Sequence, residues 1–196
     1  MILFLDTETT GLYPGQIVQL SYIMQEGNGY LSKNMFFAVD YVEPGAQRVH
    51  GFSAEKLRVL SGGATFKDRI EEIKKDFERA DLIVSHNTAF DFMFLRREFE
   101  NAGEIFTYKD EYCSMKKTTA MCKIPKSNGR GYKYPRLSEL CEYFEIDEES
   151  VKQAEEKLFG CVTSAHDARF DTAALFLALN IGMNTESSLH ILNDYI

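Results

Sequence analysis

The sequence predicts an α/β protein whose central sheet is mixed, an antiparallel meander extended by parallel strands and flanked by helices. Three observations carry this prediction. Strand-like segments at residues 2–5, 16–25 and 30–39 follow one another before any strong helical pattern, with Gly27-Asn28-Gly29 as a tight turn between the last two. A short apolar segment at 81–85 lies between two helical patterns, the arrangement that yields parallel strands. A long helix rich in Ala, Leu and Phe begins near Ala165 and is expected to end near Asn180.

The first strand is an apolar run, Ile2-Leu3-Phe4-Leu5, that ends in Asp6-Thr7-Glu8 and reaches Gly11, a residue suited to a sharp turn. The second and third are rich in β-branched and aromatic residues. Pro44 and Gly45 close the meander, and Val49-His50-Gly51-Phe52 leads to Ser53, an N-cap for a short helix through about Leu60. Phe66, Ile70, Ile73 and Phe77 recur at helical spacing, so residues 65–80 form an amphipathic helix. Strand 81–85 hands over to His86-Asn87-Thr88-Ala89-Phe90-Asp91 and a helix carrying Phe92, Phe94, Leu95 and Phe99. Such strand–helix junctions are where α/β sheets place ligands. Residues 112–124 read as helical, 125–135 as a flexible basic loop, and 137–144 and 151–159 as two short helices. The tail, about 184–196, shows no pattern.

With 196 residues, 44% apolar and 27% charged, the chain is read as one domain over 1–196 with its own core. Its apolar stretches fall short of a membrane span, and Asp6 interrupts the first of them too early for a signal peptide. No membrane association and a cytoplasmic location are expected. Cys113, Cys122, Cys141 and Cys161 show no C-x-x-C or Cys/His zinc spacing and are expected as reduced thiols. A net charge of −8 argues against a nucleic-acid partner until its distribution is considered. Between Lys109 and Arg136 eight cations face only Asp110 and Glu111.

Asp6 and Glu8 share one face of the first strand, because side chains alternate. Asp-x-Glu occurs three times, but Asp76/Glu78 lies in a helix and Asp147-Glu148-Glu149 is a solvated acidic run. Asp91 and Asp171 also stand at element termini, where an Asp is ordinarily a helix cap. A cluster of such acids suits hard divalent ions, two of which, about 4 Å apart, promote phosphodiester cleavage. A base that titrates near neutrality completes the chemistry, and histidine fits. His-x-x-x-x-Asp occurs twice, as His86…Asp91 and His166…Asp171, and the spacing leaves both histidines as candidates.

Taken together, these segments resemble the DnaQ-like, or DEDDh, 3′-to-5′ exonucleases, which include the proofreading subunits of replicative polymerases, ribonuclease T and oligoribonuclease. The resemblance rests on Phe-Leu-Asp-Thr-Glu-Thr-Thr-Gly-Leu at 4–12, Val-His-Gly at 49–51, His-Asn-x-x-Phe-Asp at 86–91 and Ala-His-Asp-Ala-x-x-Asp at 165–171, and the stretch 132–140 fits many bacterial members. It implies a ribonuclease H-like α/β fold with a central mixed five-stranded sheet. It also implies two Mg²⁺ or Mn²⁺ ions held by Asp6, Glu8 and Asp171, with Asp91 acting through water, and His166 as general base. Thr9, Thr10 and Leu12 would meet the terminal nucleotide. His50, Phe52, His86, Asn87 and Phe90 would line the strand-end pocket, although Phe52 and Phe90 read equally well as core aromatics.

The expected activity is metal-dependent 3′-to-5′ hydrolysis of single-stranded or frayed DNA, in proofreading or repair, releasing nucleoside 5′-monophosphates. An exoribonuclease of the ribonuclease T or oligoribonuclease kind is the alternative. A non-catalytic nucleic-acid-binding or polymerase-associated module is a third reading, set against five filled acid and base positions. A polymerase partner fits the resemblance, but no motif for one is present. An actin-like or sugar-kinase reading fails for want of a glycine-rich phosphate loop, since Gly62-Gly63 stands alone.

Overall fold

A computed structural model describes residues 1–12 and 14–195. Five strands, β1 (Ile2–Thr9), β2 (Ile17–Glu26), β3 (Gly29–Phe36), β4 (Leu82–Ser85) and β5 (Glu111–Cys113), form one sheet in the order β3-β2-β1-β4-β5. β1 pairs antiparallel with β2 and parallel with β4, and β4 runs parallel to β5. The expected mixed five-stranded sheet is therefore present, with the acid-bearing strand at its centre.

Burial on both faces explains the continuous apolar run of β1. Ile2 and Phe4 pack with one cluster, against the helices α7 (Leu137–Tyr143), α8 (Glu148–Phe159) and α9 (Ala168–Thr185). Leu3 and Leu5 pack with the other, against α3 (Ile70–Arg79) and α4 (Thr88–Ala102). All four are fully buried. Alternation then dictates the site: Asp6 and Glu8 continue the face toward α9, while Thr7 and Thr9 continue the face toward α4.

Three expectations need correction. Residues 44–50 are not merely a strand terminator: Pro44–His50 is a helix, α1, with Pro44 in its first turn, where its missing N–H costs nothing. Residues 112–124 are not one helix. β5 supplies the sheet's fifth strand, and two single-turn helices follow, α5 (Ser114–Lys117) and α6 (Thr119–Cys122). A three-residue strand is too short to show period-two alternation. The last helix runs to Thr185 rather than Asn180, and a 3₁₀ segment at Ser187–Tyr195 buries Leu189 and Leu192 against it.

Smaller departures lie elsewhere: residues 65–80, expected as one amphipathic helix, are a 3₁₀ turn at Lys67–Arg69 followed by α3; α8 starts at Glu148 and α9 at Ala168, each three residues from its expected start; and the expected loop 125–135 carries an antiparallel bridge between Pro125 and Tyr132. Ser53 caps α2 (Ala54–Leu60) by accepting a hydrogen bond from the Lys56 N–H. Among the described residues, no helix is long and apolar enough to cross a membrane. The four cysteines are free thiols.

Candidate active site

The site is built from three strand and helix ends that meet above β1. Asp91, in the first turn of α4, is 3% exposed and accepts a 2.8 Å hydrogen bond from the Thr7 hydroxyl, which ties α4 to the middle of the sheet. Asp171 occupies the first turn of α9, whose N-cap is Asp167. The His166 N–H donates to the Asp171 carboxylate at 3.0 Å, and His166 holds a positive φ of 68°. A non-glycine residue in that region is strained, and such strain gathers where a side chain must be aimed. The potential ligand atoms of Glu8, His166 and Asp171 all lie within 4.8 Å of one another.

The electrostatics mark the same cluster. Burial, then the charges of Asp171, Asp91 and Glu8, hold the Asp6 carboxyl well above the usual range. Burial, followed by the charges of Asp171, Asp167 and Asp91, pushes Glu8 up to about 9. Burial also lifts Asp91 and Asp171 to about 6, although hydrogen bonds to each oppose it. No ion pair among the described residues neutralises any of these four acids. Crowded carboxylates with no cationic partner, beside one imidazole, form a donor set suited to hard divalent ions such as Mg²⁺ or Mn²⁺.

A network from β2 holds this arrangement. Gln19, fully buried and opposite Glu8 in the strand register, donates through Nε2 to Asn34 and Asp167, and its Oε1 accepts from the Ala168 N–H. Burial would raise the Asp167 carboxyl, but hydrogen bonds from Arg169 and Gln19 outweigh it and keep the group below the usual carboxylate range. On α8, the buried Glu155 accepts from the Thr163 N–H at 2.8 Å and from the Thr163 hydroxyl. It thereby anchors the loop that carries His166. Sequence reading passed over Gln19 and Glu155, because buried polar residues carry no spacing signal.

Beside the acids, a cleft of about 350 Å³ is lined by Glu8, Thr9, Leu12, Val49, His50 and Phe90, among others. Leu12 stands at its rim, 76% exposed. Phe90 lies in the cleft with its ring 4.9 Å from Phe94. The Thr9 hydroxyl donates to the Gly11 carbonyl, and the Thr10 hydroxyl accepts from the Gln16 N–H, so both threonines shape the loop after β1. Gly11 has no left-handed φ, so no turn requires glycine there; a Cβ would meet the tip of the exposed Glu43 side chain, which has to swing aside to admit it.

His50 forms part of the cleft wall, its Nδ1 accepting from the Phe52 N–H and its Nε2 donating to the Thr9 carbonyl. Burial lowers its pKa. Phe52 is 4% exposed and packs with Val18, Val39 and Phe36, in the core beneath the cleft. His86 is held elsewhere: Nε2 donates to the Pro135 carbonyl at 3.0 Å and Nδ1 faces the Ser114 hydroxyl at 2.8 Å. Asn87 is the left-handed N-cap residue of α4 and makes no side-chain cap bond. The structure thus brings Asp6, Glu8, Asp91, His166 and Asp171 together, puts Thr9, Leu12, His50 and Phe90 around the cleft, and leaves Thr10, Phe52, His86 and Asn87 outside its lining.

A family model for an exonuclease domain, described as RNase_T, matches residues 3–175. Three structures of E. coli exonuclease I share the fold. The complex with a dA16 oligonucleotide has a TM-score of 0.75 at 18% identity, over 97% of this chain and 42% of that one. The zinc-bound form with single-stranded DNA scores 0.74 at 17% identity, with the same coverage of both chains. The dT13 complex scores 0.72 at 18% identity, over 99% of this chain and 42% of that one. The chain therefore spans about two fifths of the length of these proteins. The sheet order and flanking helices are those of the ribonuclease H-like fold shared with them. No curated protein sequence matches the chain.

Proposed function

The chain belongs to the RNase_T exonuclease family, and on that premise we propose that residues 1–196 form one exonuclease domain, removing nucleoside 5′-monophosphates from 3′ ends of single-stranded or frayed DNA with divalent metal. The observation that carries this reading is the knot of Asp6, Glu8, Asp91 and Asp171, unneutralised by any ion pair among the described residues and touching His166. DNA is preferred to RNA because the exonuclease I structures of the same fold hold DNA oligonucleotides. Removal of unpaired 3′ nucleotides serves proofreading or repair.

Asp6, Glu8 and Asp171, with Asp91 acting through water, would hold two Mg²⁺ ions. Bound there, the ions would stabilise the attacking and leaving oxygens of an in-line displacement. Exposed beside Glu8 and Asp171, His166 is placed to take the proton from the attacking water. Leu12 at the rim and Phe90 in the wall grip the terminal base and sugar, and Thr9 and His50 close the cleft around them.

The test is digestion of matched DNA and RNA oligomers, labelled at either end, with Mg²⁺ and with chelator. Mononucleotides should appear from the 3′ end, faster from DNA, and only with metal. Asp6→Ala should abolish release while circular dichroism shows an intact fold. Internal fragments, or activity persisting in chelator, would overturn the reading.

A further inference from the structure

The basic segment before α7 takes a definite shape. Pro125 and Tyr132 form an antiparallel bridge, and the Lys126 N–H to Gly131 carbonyl and Lys133 N–H to Ile124 carbonyl bonds close a short hairpin arm. Its surface alternates cation and aromatic ring. Lys126 and Arg130 are exposed, and none of the ion pairs among the described residues involves them. Tyr132 and Tyr134 stand 45% and 57% exposed, two large rings within three residues of chain and flanked by the cations of the arm.

The arm is also tethered to the site. The Pro135 carbonyl accepts from His86, at the β4–α4 junction, and four residues beyond His86 lies Phe90 in the cleft wall, then Asp91 in the acid cluster.

We propose that this arm is a binding subsite for the single strand lying 5′ of the scissile bond, with its phosphates on Lys126 and Arg130 and its bases stacked on Tyr132 and Tyr134. Free cations and sequence-tolerant aromatic platforms are what a single strand needs from a protein surface. The assignment deepens the exonuclease reading and rests on it. A second cationic groove, holding Arg48, Lys56 and Arg169, is less suited. Arg169 is spent on Asp167, Lys56 lies over the Phe52 ring, and that ring is buried.

Two measurements separate the subsite from the catalytic reading. Anisotropy with fluorescent dT oligomers of two to twenty nucleotides in chelator reports binding alone. Hydrolysis of thymidine 5′-(p-nitrophenyl phosphate) with Mg²⁺ reports the cleft and the acids alone. Affinity of the native protein should climb over the first several nucleotides. Tyr132→Ala with Tyr134→Ala should weaken binding of the long oligomer by about tenfold or more, as expected for lost base stacking. Lys126→Ala with Arg130→Ala should lower the salt slope of log affinity by about 1.4, at roughly 0.7 per charge on single strands. All four substitutions should leave dinucleotide binding and the chromogenic substrate unchanged. Failure of the native protein to hydrolyse the chromogenic ester with Mg²⁺ would defeat the exonuclease reading, while the binding series in chelator still decides the arm. A length profile unchanged in both double variants, or lost only in Arg48→Ala with Lys56→Ala, would overturn the subsite.

Discussion

His166 and Gln19 show how differently two residues can serve the same site. His166 touches the acids directly, through its backbone N–H to Asp171 and its ring beside Glu8. Gln19 sits beneath them and holds both Asp167 and the first N–H of α9. If His166 is the base, His166→Ala should lower the single-turnover rate at saturating oligonucleotide by about 10²–10⁴-fold, the usual worth of a positioned base. Gln19→Leu removes no group from the cleft. It leaves the Ala168 N–H without its acceptor and lets the start of α9 shift, so the rate should fall by about tenfold to a hundredfold. Oligonucleotide affinity in chelator should stay at the native value in both. A loss of less than about tenfold in His166→Ala, which keeps the backbone N–H to Asp171, would mean that the imidazole is not the base.

At the scale of elements, β1 was legible because its apolar run, its acids and its position combine signals that seldom coincide. The α9 start was legible through its own acids. What escaped notice were elements whose cause is tertiary: α1, which begins at a proline that also reads as a terminator, and β5, which has only three residues and is a strand because β4 offers it an edge. Among site residues, the pattern found those that carry charge to the cavity, and it missed Glu155, whose role lies in what it holds. Glu155 on α8 accepts two bonds from Thr163 and so fixes the loop between α8 and α9. Glu155→Ala strands the half-buried Thr163 N–H and hydroxyl and should cost about 1 kcal/mol of stability. It should also slow cleavage with little change in KM, because His166 rides on that loop. Glu155→Gln, which keeps one acceptor, should recover much of both losses. Urea unfolding and single-turnover kinetics on the pair check this, and a stability loss with native kinetics would detach Glu155 from the site.

For the whole molecule, the buried titratable groups pull stability in opposite directions with pH. Burial lowers the pKa of His86, so the unfolded chain binds its proton more readily, and that contribution is lost as pH falls below about 6.5. The acid cluster acts the other way. With Asp91 and Asp171 lifted to about 6 and Glu8 to about 9, the folded state keeps protons that the unfolded chain has released. Their contribution is complete below the unfolded carboxyl values of about 4 and is lost as pH rises through the folded values. Between pH 6.5 and 8 the His86 effect is exhausted, and the acids dominate. In chelator the melting temperature should therefore fall across that window. Divalent ions favour the ionised carboxylates, so with Mn²⁺ in excess the trend should flatten or reverse, and saturation at a hundred times Kd should add about 2.7 kcal/mol. Asp6→Asn removes one of the crowded charges. It should melt above the native protein in chelator, lose most of the Mn²⁺-dependent gain, and be inactive. Differential scanning calorimetry of both proteins with and without Mn²⁺ at pH 6.5 and 8 decides the matter: a melting temperature indifferent to pH in chelator, or an undiminished Mn²⁺ shift in Asp6→Asn, would mean that the four carboxyls do not act as one site.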